Sequence, residues 1–582
     1  MSFITALSGF FAAIPRNAGD VLLGLVTGIP SGGTSISDDF IDNIGLSQVK
    51  LYKNGCGYYK NLLIMIFENG SSVAEKHEVF KKYGLRLLGW ACPSDMFIVS
   101  SGFTDYNELV SLGEEIEKEY PAVLMASPVP FVKSSPDTTP DDPFDSGYDW
   151  NDENEFGSGR WYIDAAHIRE AWNYSEYFGK IKVGVLDSGF DTGHEDLKDR
   201  ISFPSSGDKR RNVAAPHGTF VAGVIGAQSN NGKGIAGINP ASELVCIDWK
   251  ADEGQSWNET LHIFFGICRL VKSGAKVINM SLGTSGNTDP EDPESVRTMN
   301  TYAGIYSAVM SVLIGRGYDF VAVQSAGNGD INDEAADSFF NAHFATFRED
   351  NVISLWPGIS KKDLLERVLV VGAATYRYSD EKYHLASFSN FGDGVVIAAP
   401  GARIYGLTSD EEKYTLMSGT SCAAPIVAGI VSLVWGINPS LTGSQVRNIV
   451  VDNAGETVYP YKDKGGSCKL VNAVSAVEAA LKTKYKMYSL TGEVDTGDYD
   501  TPADLVTIKS GEKSTDITAP SGKISLIYEN GDGTIIINGE YGENEFPETG
   551  FSIDGKDLDL GKISFIPAQT QPLPAEKTGE DD

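Results

Sequence analysis

The chain is poor in the residues that would tie it to a disulfide framework or to a polyanion. Six cysteines are scattered over 582 residues, at positions 56, 92, 246, 268, 422 and 468, and no two form a Cys-x-x-Cys pair. Neither a disulfide scaffold nor a zinc site is indicated. Basic residues number 47 against 79 acidic ones, which leaves a formal net charge of −32. Nucleic acid and anionic membrane both call for a basic surface, so neither is expected as a partner. No run approaches the roughly 20 apolar residues of a spanning helix, and no transmembrane segment is expected. The apolar stretch Phe3–Ile14 has the length of a signal-peptide core, but no Lys or Arg precedes it.

Apolar residues make up 41 % of the chain, enough to bury more than one core, and the length suggests three or four domains. Three polar residues stand in settings suited to proton transfer. Asp187 closes the apolar run Ile181-Lys182-Val183-Gly184-Val185-Leu186, a pattern of strands buried in parallel sheets, which would deliver the carboxylate at a C-terminal strand end. His217 opens a small-residue stretch with Val221, Val224 and Ile225 at helical spacing. Ser421 opens another, in Gly419-Thr420-Ser421-Cys422-Ala423-Ala424-Pro425, with Pro425 expected in a first turn that tolerates its missing N–H. The orphan amides and positive dipole end of such a helix start favour developing negative charge.

A serine hydroxyl becomes a nucleophile when a base takes its proton, and the base needs a third group to fix its tautomer. Asp, His and Ser in this chain order is one of three unrelated orders that reach that geometry. Asn328 follows the apolar run Phe320-Val321-Ala322-Val323 in Ser325-Ala326-Gly327-Asn328. Its side-chain amide is a candidate donor to a tetrahedral oxyanion.

These blocks, with His194-Glu195-Asp196-Leu197 and Asn279-Met280-Ser281-Leu282-Gly283, resemble in content and order those of the subtilisin-like serine peptidases, the subtilases. The resemblance implies a serine endopeptidase that hydrolyses proteins or peptides through an acyl-enzyme on Ser421. His217 would be the base, Asp187 its orienting partner and Asn328 the oxyanion donor. It further implies that Ser281, Leu282 and Gly283 hold the substrate backbone as an added strand, and that no cofactor is required for the chemistry. A structural calcium ion is implied at Asp196 and Asn231, where oxygen donors and a glycine-bent loop suit a hard cation. Secretion or the cell surface is the location the family implies, with the cytoplasm as the alternative. A catalytically silent binding or surface protein on the same fold is the other reading; its mark, a lost triad or oxyanion residue, is absent. Cys422, next to the candidate nucleophile, is expected to let thiol reagents crowd the site.

The catalytic region is assigned to residues 160–485, an α/β domain with a doubly wound, mostly parallel sheet, because strands near 181–187, 243–247, 276–281, 319–324, 368–371 and 395–398 alternate with helical segments. Two insertions, Asn287 to Glu294 and Asp330 to Arg367, adjoin the expected substrate segments. Residues 47–133 read as β-α-β-β-α-β, a split ferredoxin-like α+β order, with the second helix capped by Thr104. Ahead of a subtilase domain, such a unit resembles an inhibitory propeptide that lies with its tail in the active-site cleft. Residues 1–46 read as a targeting or linker segment and 134–159, rich in Asp, Pro, Gly and Ser, as a linker. A small β-rich domain is expected over 486–567, with 524–528 and 534–537 joined as a hairpin by Asn530-Gly531-Asp532-Gly533, and a disordered tail over 568–582.

Overall fold

The computed structural model describes residues 40–132, 161–204, 217–495 and 505–564, apart from short stretches at 42–48, 52–55, 69–70, 92–94, 230, 232, 250–258, 284–291, 330–334, 378, 410–412, 511–512, 518–522, 530–532, 542–543, 546–548 and 554–555. Most of the segment 1–46, the linker 134–159, most of the acidic loop after Asn287 and the tail 568–582 lie outside the described residues. The chain forms two compact units, one of residues 1–166 with 178–472 and one of 167–177 with 473–582.

The N-terminal part of the first unit is a six-stranded antiparallel sheet whose main strands are β1 (Cys56–Phe67), β2 (Arg86–Ala91), β3 (Met96–Ser100) and β4 (Val123–Val132), with the short strands Phe40–Ile41 beside β2 and Val49–Leu51 beside β1. β2 pairs with β3, β3 with β1 and β1 with β4. Helices α1 (Val73–Lys82) and α2 (Tyr106–Glu119) complete the order. α1 starts on a capping box at Ser72 and Glu75, the reciprocal pairing that satisfies two orphan amides. The cap of α2 is Asp105, which accepts from Asn107 N at 2.9 Å, rather than Thr104; Asx and Thr oxygens compete for that role, and here the carboxylate one residue later takes it.

The run Leu62 to Phe67 is apolar throughout because both faces of β1 are covered. Leu63, Met65 and Phe67 pack with Phe80, Leu109 and Ile116 of α1 and α2. Leu62, Ile64 and Ile66 join a larger cluster with Phe264, Tyr302 and Tyr306. Those three belong to helices α4 (Glu259–Lys272) and α5 (Pro293–Gly315) of the region that follows, the alternation being that of a strand with a period of two. Asp95 adds an ionic tie, 3.0 Å from Arg316 and 3.2 Å from Lys76.

That region is built on β5 (Lys182–Asp187), β6 (Glu243–Asp248), β7 (Val277–Met280), β8 (Val321–Ser325), β9 (Val368–Arg377) and β10 (Val395–Pro400). The spatial order β6-β5-β7-β8-β9-β10 is parallel at every step. Lys382–Leu385 pairs antiparallel with β9, which makes the sheet mixed at that side. Helix α3 (His217–Gly226) and helix α6 (Thr420–Ile437) are buried along nearly their whole lengths and pack on each other. Among the described residues α6 alone is long and apolar enough by composition to cross a membrane, but 94 % of it is buried inside the unit as a core helix.

In the second unit, helix Ala473–Lys482 packs with helix Ile168–Trp172. Tyr174 donates to Glu478 at 2.8 Å and accepts from Ile527 N at 3.0 Å. The strands form two sheets. Lys523–Glu529 pairs with Met487–Asp495, whereas Gly533–Tyr541 pairs with Leu505–Ser510 and Thr549–Ile553. The strands on either side of Asn530 to Gly533 lie in different sheets, so the expected hairpin between them is not formed, and residues 530–532 themselves lie outside the described residues. Glycine-rich turn chemistry fixes a reversal but not the partner of the outgoing strand.

Candidate active site

β5 ends on Asp187, which is 1 % exposed, and the chain then turns through Ser188 and Gly189. This turn does two things. Ser188 N donates back to Asp187 Oδ1 at 2.7 Å, and the Ser188 and Gly189 carbonyls accept from Gly218 N at 2.7 Å and Thr219 N at 3.0 Å. The last two bonds satisfy the orphan amides of α3, so the turn behind the carboxylate caps the helix that opens on the imidazole. As a result His217 Nδ1 lies 2.7 Å from Asp187 Oδ1. With its hydrogen on Nδ1 toward the carboxylate, the ring presents Nε2 as a base, an assignment that follows from the hydrogen-bond network.

Ser421 is the second residue of α6, whose N-cap is Gly419. Asn328 caps this helix from the end of β8: its Oδ1 accepts from Thr420 N and from Thr420 Oγ1, each at 2.8 Å. Thr420 Oγ1 in turn accepts from Gly327 N at 3.1 Å. With the oxygen so occupied, the Asn328 Nδ2 donor is turned toward Gly419. A Cβ on Gly419 would stand 3.2 Å from that Nδ2 and 3.6 Å from Ser421 N. The space kept open by glycine is thus bounded by two N–H donors.

Pro425 is the sixth residue of α6, inside the helix and beyond its first turn, so the expected first-turn placement is corrected. Lacking an N–H, it leaves the carbonyl of Ser421 without its helical donor. Ser281 supplies the replacement, its Oγ donating to Ser421 O at 2.9 Å, and Asn279 Nδ2 donates to Ser281 Oγ at 3.0 Å. The Ser421 hydroxyl makes a long contact to Ser281 O, 3.4 Å. Ser281 and Leu282 are buried just past the end of β7, and β7 pairs with β5. Asp187, His217, Ser421, Asn328 and the Ser281–Gly283 segment are therefore gathered at one end of the parallel sheet, where open α/β sheets place their ligands.

Sequence reading missed two polar groups here. Asp248 lies beside Asp187 in register on β6 and accepts from Gly189 N at 3.2 Å; the apolar run Leu244-Val245-Cys246-Ile247 ahead of it was the available signal. Gln324 is fully buried, its Nε2 donating to Leu282 O at 3.0 Å and its Oε1 accepting from Phe344 N at 2.9 Å. Cys422 is 1 % exposed and burial pushes its thiol pKa up. Thiol reagents meet neither an accessible sulfur nor a thiolate, contrary to the expectation from its position.

Asp196 and Asn231 do come together, but as a closed hydrogen-bonded corner. Asp196 is fully buried; its Oδ1 accepts from Asn231 Nδ2 at 2.7 Å and its Oδ2 from Ile235 N at 3.1 Å and Tyr414 Oη at 3.2 Å. Asn231 Oδ1 is taken by Lys233 N at 2.8 Å. Beside it, Lys233 and Lys413 lie 2.9 and 3.1 Å from Glu195. These hydrogen bonds, that of Lys233 first and that of Lys413 next, hold the Glu195 carboxyl at about 2. A calcium ion needs oxygen lone pairs facing it, and here hydrogens and two ammonium groups face the carboxylates. The residues present do not fit the ion, and among the described residues no cluster of three metal-ligating side chains occurs.

A parallel sheet with an acid, an imidazole and a helix-opening serine at one end defines an α/β protein with the elements of nucleophilic catalysis. Comparison with known proteins agrees. The profile of the subtilase family matches residues 179–488, and the chain belongs to that family. It is 30 % identical to subtilisin DY of Bacillus licheniformis over 285 residues, 48 % of this chain and 86 % of that one. It is 28 % identical to subtilisin-like protease 1 of Plasmodium berghei (strain Anka) over 353 residues, 55 % of this chain and 54 % of that one, so it spans about half the length of that relative. The solved structure of fervidolysin from Fervidobacterium pennivorans, a keratinolytic enzyme related to subtilisin, shares the fold at 18 % identity with a TM-score of 0.51, covering 90 % of this chain and 81 % of that one.

Proposed function

We propose that this chain is a serine endopeptidase that hydrolyses peptide bonds in proteins through an acyl-enzyme on Ser421. The observation that carries the reading is the buried 2.7 Å contact between His217 Nδ1 and Asp187 Oδ1. It fixes the tautomer and orientation of the imidazole, with Nδ1 toward the carboxylate and Nε2 as the basic nitrogen.

In the reaction the Ser421 hydroxyl turns from the Ser281 carbonyl toward His217, gives up its proton and attacks the scissile carbonyl. Asp187 stabilises the imidazolium that forms. The carbonyl oxygen becomes an oxyanion in the space beside Gly419, between Asn328 Nδ2 and Ser421 N, donors already in place before charge develops. His217 then passes its proton to the leaving amine, and water repeats the sequence to release the acid. Apart from that water, every step uses groups of the chain itself. Substrate lies along Ser281–Gly283 as an added strand, with main-chain pairing for affinity.

The N-terminal sheet is proposed to act as a propeptide-type inhibitor of the same chain. Its support is the shared apolar cluster with α4 and α5 and the Asp95–Arg316 ion pair. Secretion or a cell-surface location goes with this role.

The test is a serine-directed fluorophosphonate probe on the full chain and on Ser421→Ala, followed by N-terminal sequencing of the labelled species. Labelling of the wild type only, on Ser421, is expected, with a new N-terminus near residues 133–160. Equal labelling of both proteins would refute the nucleophile assignment, and an unprocessed active chain would refute the propeptide role.

A further inference from the structure

The donor assigned to the oxyanion stands on a backbone with little stiffness of its own. Asn328 lies between Gly327 and Gly329, whose φ angles are 96° and 79°, a region that residues with a Cβ rarely enter. Glycine permits this path but does nothing to hold it. A side-chain donor serves catalysis by being aimed before charge develops, so the peptide groups beside Asn328 need fixing from outside the segment.

One residue fixes the groups on both sides. Asn390 N donates to Gly327 O at 3.0 Å, and Gly329 N donates to Asn390 Oδ1, also at 3.0 Å. The same Oδ1 accepts from Ala336 N at 2.9 Å. Asn390 is fully buried, and its own place is anchored on β9 through the residue before it. Ser389 Oγ accepts from Ala373 N at 2.9 Å and donates to Asn390 O at 3.1 Å, while the Ser389 backbone bridges that of Asn328. The amide also lies flat against the turn, since a Cβ on Gly327 would stand 2.6 Å from Asn390 Nδ2. That Nδ2 is buried and, among the described residues, finds no hydrogen-bond partner. A buried donor left unpaired is a standing cost, and the bonding of this side chain is carried by Oδ1.

We infer that Asn390 is a positioning residue for the oxyanion donor: it clamps the peptide groups on either side of Asn328, so that Asn328 Nδ2 is aimed at the space beside Gly419 before substrate arrives. The inference rests on the serine peptidase reading. Asn390 acts through Asn328 and not on the reacting atoms, so its effect on the reaction requires Asn328 to be present.

The experiment measures kcat and KM for one peptide anilide in the wild type, Asn390→Ala, Asn328→Ala and the double variant, with fluorophosphonate labelling of wild-type Ser421 as the parallel measurement. Asn390→Ala is expected to lower kcat about 10-fold, the scale of a misaimed donor. KM is expected to stay within about 2-fold, because an oxyanion donor works in the transition state. In the Asn328→Ala background the same substitution is expected to lower kcat less than about 2-fold, since no donor is left to aim. A residue that only supports the fold would lower kcat by one factor in both backgrounds; that result, or an unchanged kcat in Asn390→Ala, overturns the inference while labelling of Ser421 upholds the peptidase. Should the alanine variant not fold, Asn390→Ser, which keeps a shorter acceptor, enters the same cycle with an expected loss of about 3- to 10-fold that again requires Asn328. A wild type with neither labelling nor turnover overturns the peptidase reading itself, and this inference with it.

Discussion

The Ser281 hydroxyl donates to the Ser421 carbonyl at 2.9 Å, filling the position that the helix itself cannot fill because residue 425 is proline. The segment proposed to bind substrate and the proposed nucleophile are thereby fastened by one hydrogen bond that exists only through a missing one.

This bond predicts a coupling between two residues that do not share a ladder. Ser281→Ala is expected to cost about 1 kcal/mol of stability, the net worth of a hydrogen bond whose acceptor is left unsatisfied, and to lower kcat/KM about 3- to 10-fold through misplacement of Ser421. Adding Pro425→Ala restores a helical N–H to the same carbonyl. Urea denaturation of the two single variants and the double variant gives the cycle. Additive losses would show that the two residues do not compete for one carbonyl.

Gly419 predicts a loss of catalysis without a loss of fold. Gly419→Ala places a methyl group 3.2 Å from Asn328 Nδ2 and 3.6 Å from Ser421 N, in the space assigned to the oxyanion. The expected result is a fall in kcat of about 100-fold or more, comparable to removing one oxyanion donor, with a melting temperature near that of the wild type. Asn328→Ala is expected to fall in the same range. Retention of more than a third of wild-type kcat in Gly419→Ala would place the oxyanion elsewhere.

The buried His343 predicts a pH dependence of stability. Burial lowers its pKa to about 4, against roughly 6.5 in the unfolded chain. Between these values the unfolded state binds a proton that the native state does not, so stability is full above pH 6.5 and is lost as the pH falls toward 4. The contribution is about 3 kcal/mol over that window. His343→Phe, which keeps the stack on Tyr302, is expected to flatten this part of the stability–pH curve. An unchanged slope between pH 6.5 and 4 would show that the residue does not titrate in this way.

The corner at Asp196 predicts indifference to calcium. Melting temperatures with a chelator and with millimolar calcium are expected to agree within about 1 °C, since a ligand bound only by the native state would raise the transition through mass action. A rise of more than about 3 °C with calcium would mean that Asn231, Tyr414 and Lys233 give way to the ion.

The positions of Asp187, His217, Ser421 and Asn328 at strand ends and helix starts, and the central parallel strands, were legible because each sits in a short contiguous pattern, an apolar run ending on a polar residue or a polar residue opening a small-residue helix. Local pattern also carried most of the N-terminal strands, since Leu62 to Phe67 and Met96 to Val99 are apolar enough to be nothing but interior. What escaped is what only tertiary contact decides. Gln324 reads as one more strand residue until its two amide ends are seen to hold Leu282 and Phe344. Asn390 carries no motif at all, and its bonds to both Gly327 and Gly329 join parts of the chain that no local pattern links. Asp196 and Asn231 were correctly brought to one place, but whether lone pairs or hydrogens face inward depends on Tyr414, more than 200 residues away. The hairpin expected across Asn530 to Gly533 failed for the same reason, because its outgoing strand is claimed by Leu505–Ser510.

The double-faced character of β1 bears on how such a chain could ever be switched on. Leu62, Ile64 and Ile66 are wedded to α4 and α5 by oil rather than by the peptide connection, and Asp95 is clasped by Arg316. Severing the backbone after Val132 would change the topology of the polypeptide and leave that grip untouched. In the proposed inhibitor role, liberation of the cleft is then a matter of dissociation, or of digesting the clamp where it sits, and its tempo would be set by how fast a greasy surface can be prised into water.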